Sequence, residues 1–112
     1  MKPARNIFIA FVTAPNIKVG RKIAKAILER RGAACVNIVT GLESHYWWQG
    51  KLECSSEILL IIKTTKARLS FLEKLVISVH PYETAELIAF PLTASTPKYL
   101  RWLVESMSLT SP

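Results

Sequence analysis

The stretch ESHYWWQGKLECSSEILLIIKTT, residues 43–65, carries the clearest structural signal in the chain. Its Gln49-Gly50 pair is a turn signal between strand-like runs. The two runs cover Ala34–Val39 and Leu52–Thr64, and they are joined through HYWW and this turn. These features predict a long β-hairpin formed by the second and third strands of the chain.

The segments on either side of this hairpin predict alternating helices and strands. The apolar first strand (IFIAFV) predicts burial on both faces. Asn16 and Thr65 are expected to cap the two helices that follow the first and third strands, and Gly32 is expected just beyond the first helix. The predicted elements outside the hairpin are a strand at Asn6–Thr13, a helix at Ile17–Arg31, a helix at Lys66–Val79 ended by His80-Pro81, a strand at Glu86–Leu92 and a helix from Thr96-Pro97 to Met107.

The resulting order, β-α-β-β-α-β-α, predicts the fold class. Two right-handed βαβ crossovers side by side give an α+β, ferredoxin-like βαββαβ sandwich with an extra C-terminal helix. We expect a single domain over residues 1–112, with disorder confined to Met1–Arg5 and Leu109–Pro112. One face of the sheet takes the helices, so the other face needs a cover or must face water.

Two consecutive tryptophans near the hairpin turn predict an interface. Neighbouring residues of a strand point to opposite faces, so a thin domain can hardly bury both Trp47 and Trp48. With Tyr46 beside them they form an aromatic patch, and such patches usually meet a partner. The alternative is a twisted hairpin whose aromatic side chains only brace each other.

Composition excludes several classes of site and compartment. The chain has no Asp, which removes Asp-based triads and EF-hand loops. Its two cysteines, Cys35 and Cys54, lie at no metal-knuckle spacing, and free thiols favour the cytoplasm. We expect no secretory leader, because the apolar segment Ile7–Val12 is too short for the apolar region of one and indicates a strand. The uninterrupted apolar runs, such as Ile58–Ile62, are far too short to span a bilayer, so no membrane partner is expected.

The formal charge of +7 raises the question of nucleic-acid binding. RNA-recognition modules share this strand order and stack bases on aromatic residues of the two central strands. The third strand, SEILLIIKTT, has neither an aromatic residue nor a glycine. We therefore expect no nucleic-acid partner. The outer face of the first helix carries Lys18, Arg21, Lys22 and Lys25. We expect this face to be solvated, and the alternative is that it is a phosphate-binding stripe.

One cluster has the chemistry of a site. His80, Glu83 and Glu86 fall within seven residues around Pro81, where a helix gives way to a strand. Imidazole and carboxylates together suit Cu(II), Zn or Ni. The alternative is that His80 caps the second helix through its last carbonyls while the glutamates are solvated. Cys54 is flanked by polar residues, and no base is evident beside it in the sequence.

The motifs resemble the CutA divalent-cation tolerance family. The quoted hairpin motif ESHYWWQGKLE is followed by SEILLIIKT, HPYETAELIAFPL and YLRWL, so the resemblance runs from about Ile7 to Met107. It implies a small ferredoxin-like homotrimer in which the long hairpins pair across subunits. The expected trimer contacts are Tyr46, Trp47 and Trp48.

The resemblance also implies a function and a site. The function is divalent-cation, especially copper, tolerance through weak binding in a cleft between subunits, with no catalysis and no obligatory cofactor. The alternatives are a trimeric protein-binding scaffold, as in animal relatives associated with acetylcholinesterase anchoring, and a PII-like small-ligand sensor. Val12 stands where bacterial members often have cysteine, which disfavours a thiolate copper site. The metal ligands would be His80 and Glu86, with Lys63, Tyr82 and Glu83 lining the cleft.

Overall fold

The helices and strands follow the predicted order, with two short strands in addition. The computed structural model describes residues 1–108. Its elements are β1 (Lys2–Pro3), β2 (Ile7–Ala14), α1 (Ile17–Glu29), β3 (Cys35–Trp48), β4 (Lys51–Thr65), a 3₁₀ turn (Lys66–Arg68), α2 (Leu69–Val79), β5 (Leu87–Pro91), β6 (Ala94–Ser95) and α3 (Pro97–Ser106).

The main sheet has four antiparallel strands in the order β3-β4-β2-β5. This order confirms the ferredoxin-like sandwich. Helices α1 and α2 pack on one face, where the alternate residues Leu60 and Ile62 of β4 are fully buried. Ile23 and Ile27 of α1 and Leu72 of α2 complete that core. These residues form the core between the helices and the sheet.

The other face of the sheet is only partly covered within one chain. Phe11 of β2 and Ile61 of β4, which are paired across the ladder, project to this face and are half-buried. On β5, Ile88 is 53% exposed and Phe90 is 41% exposed. The prediction that the first strand is buried on both faces is therefore wrong for the single chain. Only the end near Ile7 is closed, where Leu103 and Met107 pack against it.

Strand β3, the first arm of the hairpin, is longer than the predicted strand Ala34–Val39. The ladder between β3 and β4 shifts register between Val39 and Leu42, and Gly41 has φ +80°. This β-bulge accommodates the shift in register, and β3 continues beyond it to Trp48. The predicted long hairpin is confirmed, and both of its arms extend well beyond the helix layer.

The end of α1 differs from the prediction in one residue. The left-handed position is Arg31 (φ +56°) instead of Gly32. Arg31 N–H donates to Leu28 O at 3.2 Å and Gly32 N–H donates to Ile27 O at 2.8 Å, which is a Schellman ending. Gly32 is needed for space instead, since an added Cβ would lie 3.0 Å from Leu75 Cδ1.

The remaining boundaries need smaller corrections. Thr65 precedes a 3₁₀ turn, makes no side-chain cap, and the α-helix begins only at Leu69. Disorder was expected at Met1–Arg5, but Lys2–Pro3 pairs with Ala94–Ser95. The other expected disordered segment, Leu109–Pro112, lies outside the described residues. In residues 1–108 no helix is long and apolar enough to cross a membrane.

Candidate metal-binding cleft

A cleft of about 970 Å³ lies between the β3–β4 hairpin and the segment that connects α2 to β5. Four of the chain's eight acidic residues line it, although the formal charge of the chain is +7. The cleft therefore gathers carboxylates in an otherwise basic protein, an arrangement that favours a cation. Its lining comprises Thr13, Leu42, Glu43, Ser44, His45, Tyr46, Trp47, Trp48, Glu57, Leu59, Pro81, Tyr82, Glu83, Thr84 and Glu86.

His80 lies behind this lining with both ring nitrogens in hydrogen bonds. Its Nε2 lies 2.7 Å from Thr13 O, and its Nδ1 accepts from Tyr82 N–H at 3.1 Å. Because a carbonyl only accepts and a backbone N–H only donates, the ring is neutral with its proton on Nε2. The backbone N–H of His80 bonds to Val76 O and ends α2. The side chain thus links the end of α2 to β2. It does not cap the last carbonyls of α2, so the alternative interpretation of His80 as a helix cap is wrong.

Tyr82 connects the α2–β5 segment to β4. Its hydroxyl donates to Glu57 Oε2 at 2.8 Å, and its ring centroid lies 4.7 Å from that of His80. Burial, and then the hydrogen bond and negative charge of Glu57, raise the pKa of the Tyr82 phenol. The hydroxyl is therefore held as a neutral donor that orients one cleft carboxylate.

The structure brings most of the predicted site residues to one place. Glu83, Glu86 and Tyr82 line the cleft, and His80 lies immediately behind Tyr82. Lys63 does not line this cleft within one chain, because its ammonium lies 5.4 Å from the ring centroid of Tyr99. A place for Lys63 in a cleft between subunits stays a prediction, as do His80 and Glu86 as metal ligands.

The aromatic residues of the hairpin are exposed in the single chain. Trp47 is 71% exposed, Trp48 46% and Tyr46 41%. Leu52, the ladder partner of Trp47, is 70% exposed. These side chains leave a large apolar surface at the far end of the hairpin, where no helix of the described residues reaches.

A second group of donor atoms was missed by the sequence analysis. His45 Nε2 lies 2.7 Å from Glu43 Oε2 and 3.7 Å from Cys54 Sγ. The expectation that no base lies beside Cys54 is therefore wrong. The signal was available, because a two-residue Gln49-Gly50 turn places residue 45 opposite residue 54. The other cysteine, Cys35, is half-buried and its Sγ lies 3.6 Å from Asn37 Oδ1.

Known proteins share the sequence motifs and the fold of this chain. The profile of the family described as CutA1 divalent ion tolerance protein matches residues 8–106. The chain is 44% identical to the divalent-cation tolerance protein CutA of Thermus thermophilus over 98 residues, which cover 88% of this chain and 95% of that protein. The crystal structure of CutA1 from Oryza sativa superposes with a TM-score of 0.89 at 41% identity, covering 97% of each chain.

A mammalian relative extends the comparison. Protein CutA of Mus musculus is 48% identical over 98 residues, which are 88% of this chain and 55% of the mouse protein. The chain thus spans about half the length of that relative. From the matched profile, the sequence identities and the superposed fold, the chain belongs to the CutA1 divalent ion tolerance family.

Proposed function

We propose that this protein supports tolerance of divalent cations by binding them weakly and reversibly, with Cu(II) the preferred ion. The observation that carries this proposal is the acidic cleft in a basic chain. Glu43, Glu57, Glu83 and Glu86 supply carboxylates on one concave surface. Copper heads the affinity series of divalent first-row metals and accepts carboxylate with imidazole. The protein works by binding and not by catalysis.

The ligands that we propose are Glu86 at the surface of the cleft and His80 behind it. For Nδ1 of His80 to bind a cation, the ring must first give up the hydrogen bond from Tyr82 N–H. That exchange leaves a backbone donor to be satisfied again, so it lowers the net gain from the new bond. The cost argues for weak binding, which suits an ion that must be released. Position 12 is a fully buried valine and supplies no thiolate, so the two proposed ligands, His80 and Glu86, offer only nitrogen and oxygen.

We propose a homotrimer as the functional unit. The exposed tryptophans of the hairpin and the partly covered sheet face with Ile88 and Phe90 are two apolar surfaces on one small chain. Burying them between copies removes both from water at once. Each chain contributes one cleft, and neighbouring subunits bring Lys63 close to it.

We place the protein in the cytoplasm. Cys35 and Cys54 are free thiols and are too far apart along β3 and β4 to be ladder partners, because Cys35 pairs with Lys63 and Cys54 with His45. Free thiols persist in a reducing compartment. Relatives are named as chloroplastic in Arabidopsis thaliana and as periplasmic in Archaeoglobus fulgidus, so the family is not confined to one compartment.

The cleft site is tested by isothermal titration calorimetry with Cu(II). Glu86→Gln should weaken binding, because it removes an anionic oxygen ligand. Glu105→Gln is the matched control, since it makes the same change of charge on an exposed residue of α3 outside the cleft. His80→Ala should weaken binding as well. Equal Cu(II) affinity in the wild type and in both cleft variants would show that the cleft is not the metal site.

A further inference from the structure

A convergence of three different metal-binding side chains lies on the hairpin, outside the His80–Glu86 pair. The ligand atoms of Glu43, His45 and Cys54 all lie within 4.8 Å of one another. The thiol, imidazole and carboxylate types together are the ligand set that zinc prefers. We propose that these three side chains form a second cation site, which binds a Zn(II)-class ion with one position left for water.

The backbone of the hairpin fixes the three positions. His45 and Cys54 are direct partners in the β3–β4 ladder, and Glu43 precedes His45 by two residues, so all three project to the same face. The Gln49-Gly50 turn sets this register. The site is therefore held by a rigid two-stranded ribbon and needs no loop to fold around the ion.

The distances match a tetrahedral ion. A zinc ion with bonds of about 2.3 Å to sulfur and about 2.0 Å to nitrogen holds those two atoms roughly 3.5 Å apart. Cys54 Sγ and His45 Nε2 are 3.7 Å apart. The Glu43 carboxylate lies at 2.7 Å from the same nitrogen and has to retreat to roughly 3.4 Å, the corresponding nitrogen–oxygen separation. Its side chain is 75% exposed and is free to make that movement.

The same geometry disfavours a catalytic triad. In such a triad the base contacts the nucleophile through one ring nitrogen and the orienting acid through the other. Here the carboxylate and the thiol both lie beside Nε2 of His45. Three donors that meet at one point are suited to share an ion. On binding, the Cys54 thiol releases its proton to solvent, and the neutral His45 ring carries its proton on Nδ1 so that the lone pair of Nε2 can bind the ion.

The site shares Glu43 and His45 with the lining of the cleft but uses neither His80 nor Glu86, so it can be tested separately from those two ligands. Full-length protein is titrated with Co(II) as a spectroscopic substitute for zinc, and Zn(II) is then added in competition. We expect a near-ultraviolet thiolate-to-cobalt band in the wild type, which Zn(II) removes. Cys54→Ser should abolish the band and weaken Zn(II) binding by at least about tenfold, because even outer-shell changes have effects of that size.

The chain provides two matched controls. Cys35→Ser removes the other thiol, which lies outside the cluster, and should keep the band. His80→Ala should keep the band too, even where it weakens Cu(II) binding in the cleft. Cys54 is exposed, so circular dichroism of Cys54→Ser should match the wild type. An unchanged cobalt spectrum in Cys54→Ser, or loss of the band in Cys35→Ser alone, would overturn the assignment.

Discussion

Tyr82 is the residue that joins the two walls of the cleft. Its hydroxyl donates to Glu57 of β4, while its backbone N–H donates to His80. The phenol therefore fixes one carboxylate, and the backbone fixes the imidazole. Removal of this residue's hydroxyl should leave the fold intact and loosen the cleft.

We expect Tyr82→Phe to lower the free energy of unfolding by about 1 kcal/mol at neutral pH, the usual net worth of one hydrogen bond. Because the pKa of Tyr82 is raised in the folded state, that state keeps a proton which the unfolded chain loses above about pH 10. The stability that Tyr82 contributes is thus present below about pH 10 and falls as the pH rises further. Urea unfolding at several pH values measures this.

The gap in stability between wild type and Tyr82→Phe should therefore narrow above about pH 10. Tyr99→Phe is the control, since its ring lies over Lys63 and it also removes a phenol hydroxyl. A gap that stays constant across this pH range would contradict the role assigned to Glu57.

At the residue scale the sequence indicates which side chains gather but not how they are bonded. The spacing of His80, Glu83 and Glu86 places them together, and the structure keeps Glu83 and Glu86 on one cleft. The bond from His80 to Thr13 O joins residues 67 positions apart, so it depends on the packing of α2 against β2. No local pattern contains that information.

The hairpin is the element on which both proposed sites depend. Gln49 and Gly50 have φ of +48° and +78°, the signature of a type I′ turn. Asn-Gly is the preferred pair in such a turn, and Gln at the first position is an unusual choice. The turn sets the register that places His45 opposite Cys54.

Gly50→Ala should destabilise the protein by about 1 kcal/mol, because an L residue pays for the left-handed conformation. Nothing lies within 4 Å of a Cβ at this position, so the cost arises from the backbone alone. Gln49→Asn should be neutral or slightly stabilising. Thermal unfolding of both variants checks the pair, and equal melting temperatures for Gly50→Ala and wild type would refute the turn assignment.

At the element scale, the hydrophobic period predicted helices and strands well where one face is buried. The prediction missed the continuation of β3, because the bulge at Gly41 interrupts the period while the ladder goes on. It placed the left-handed residue of α1 at Gly32 because glycine usually occupies it. Arg31 takes that conformation instead, and its guanidinium donates to Ser106 O at 2.8 Å. Such long-range contacts override local preference.

For the whole molecule, the exposed hairpin should control assembly. Trp47→Ser combined with Trp48→Ser should shift the protein from a trimer to a monomer, because it removes two large apolar side chains from the proposed interface. Trp102→Ser is the control, since Trp102 is 45% exposed and belongs to α3 and not to the β3–β4 hairpin. Light scattering over a dilution series measures the mass. A wild-type monomer, or dissociation caused equally by Trp102→Ser, would contradict the proposed interface.

Native mass spectrometry can show whether a trimer binds divalent copper in one acidic cleft per chain. The experiment uses protein with Cys54→Ser and His45→Gln, so that the hairpin cluster cannot hold the ion. In excess Cu(II), we expect assemblies of three chains carrying three copper ions, and loss of those ions when Glu83→Gln and Glu86→Gln are added. Monomers, or trimers that keep all three ions without these glutamates, would contradict the account.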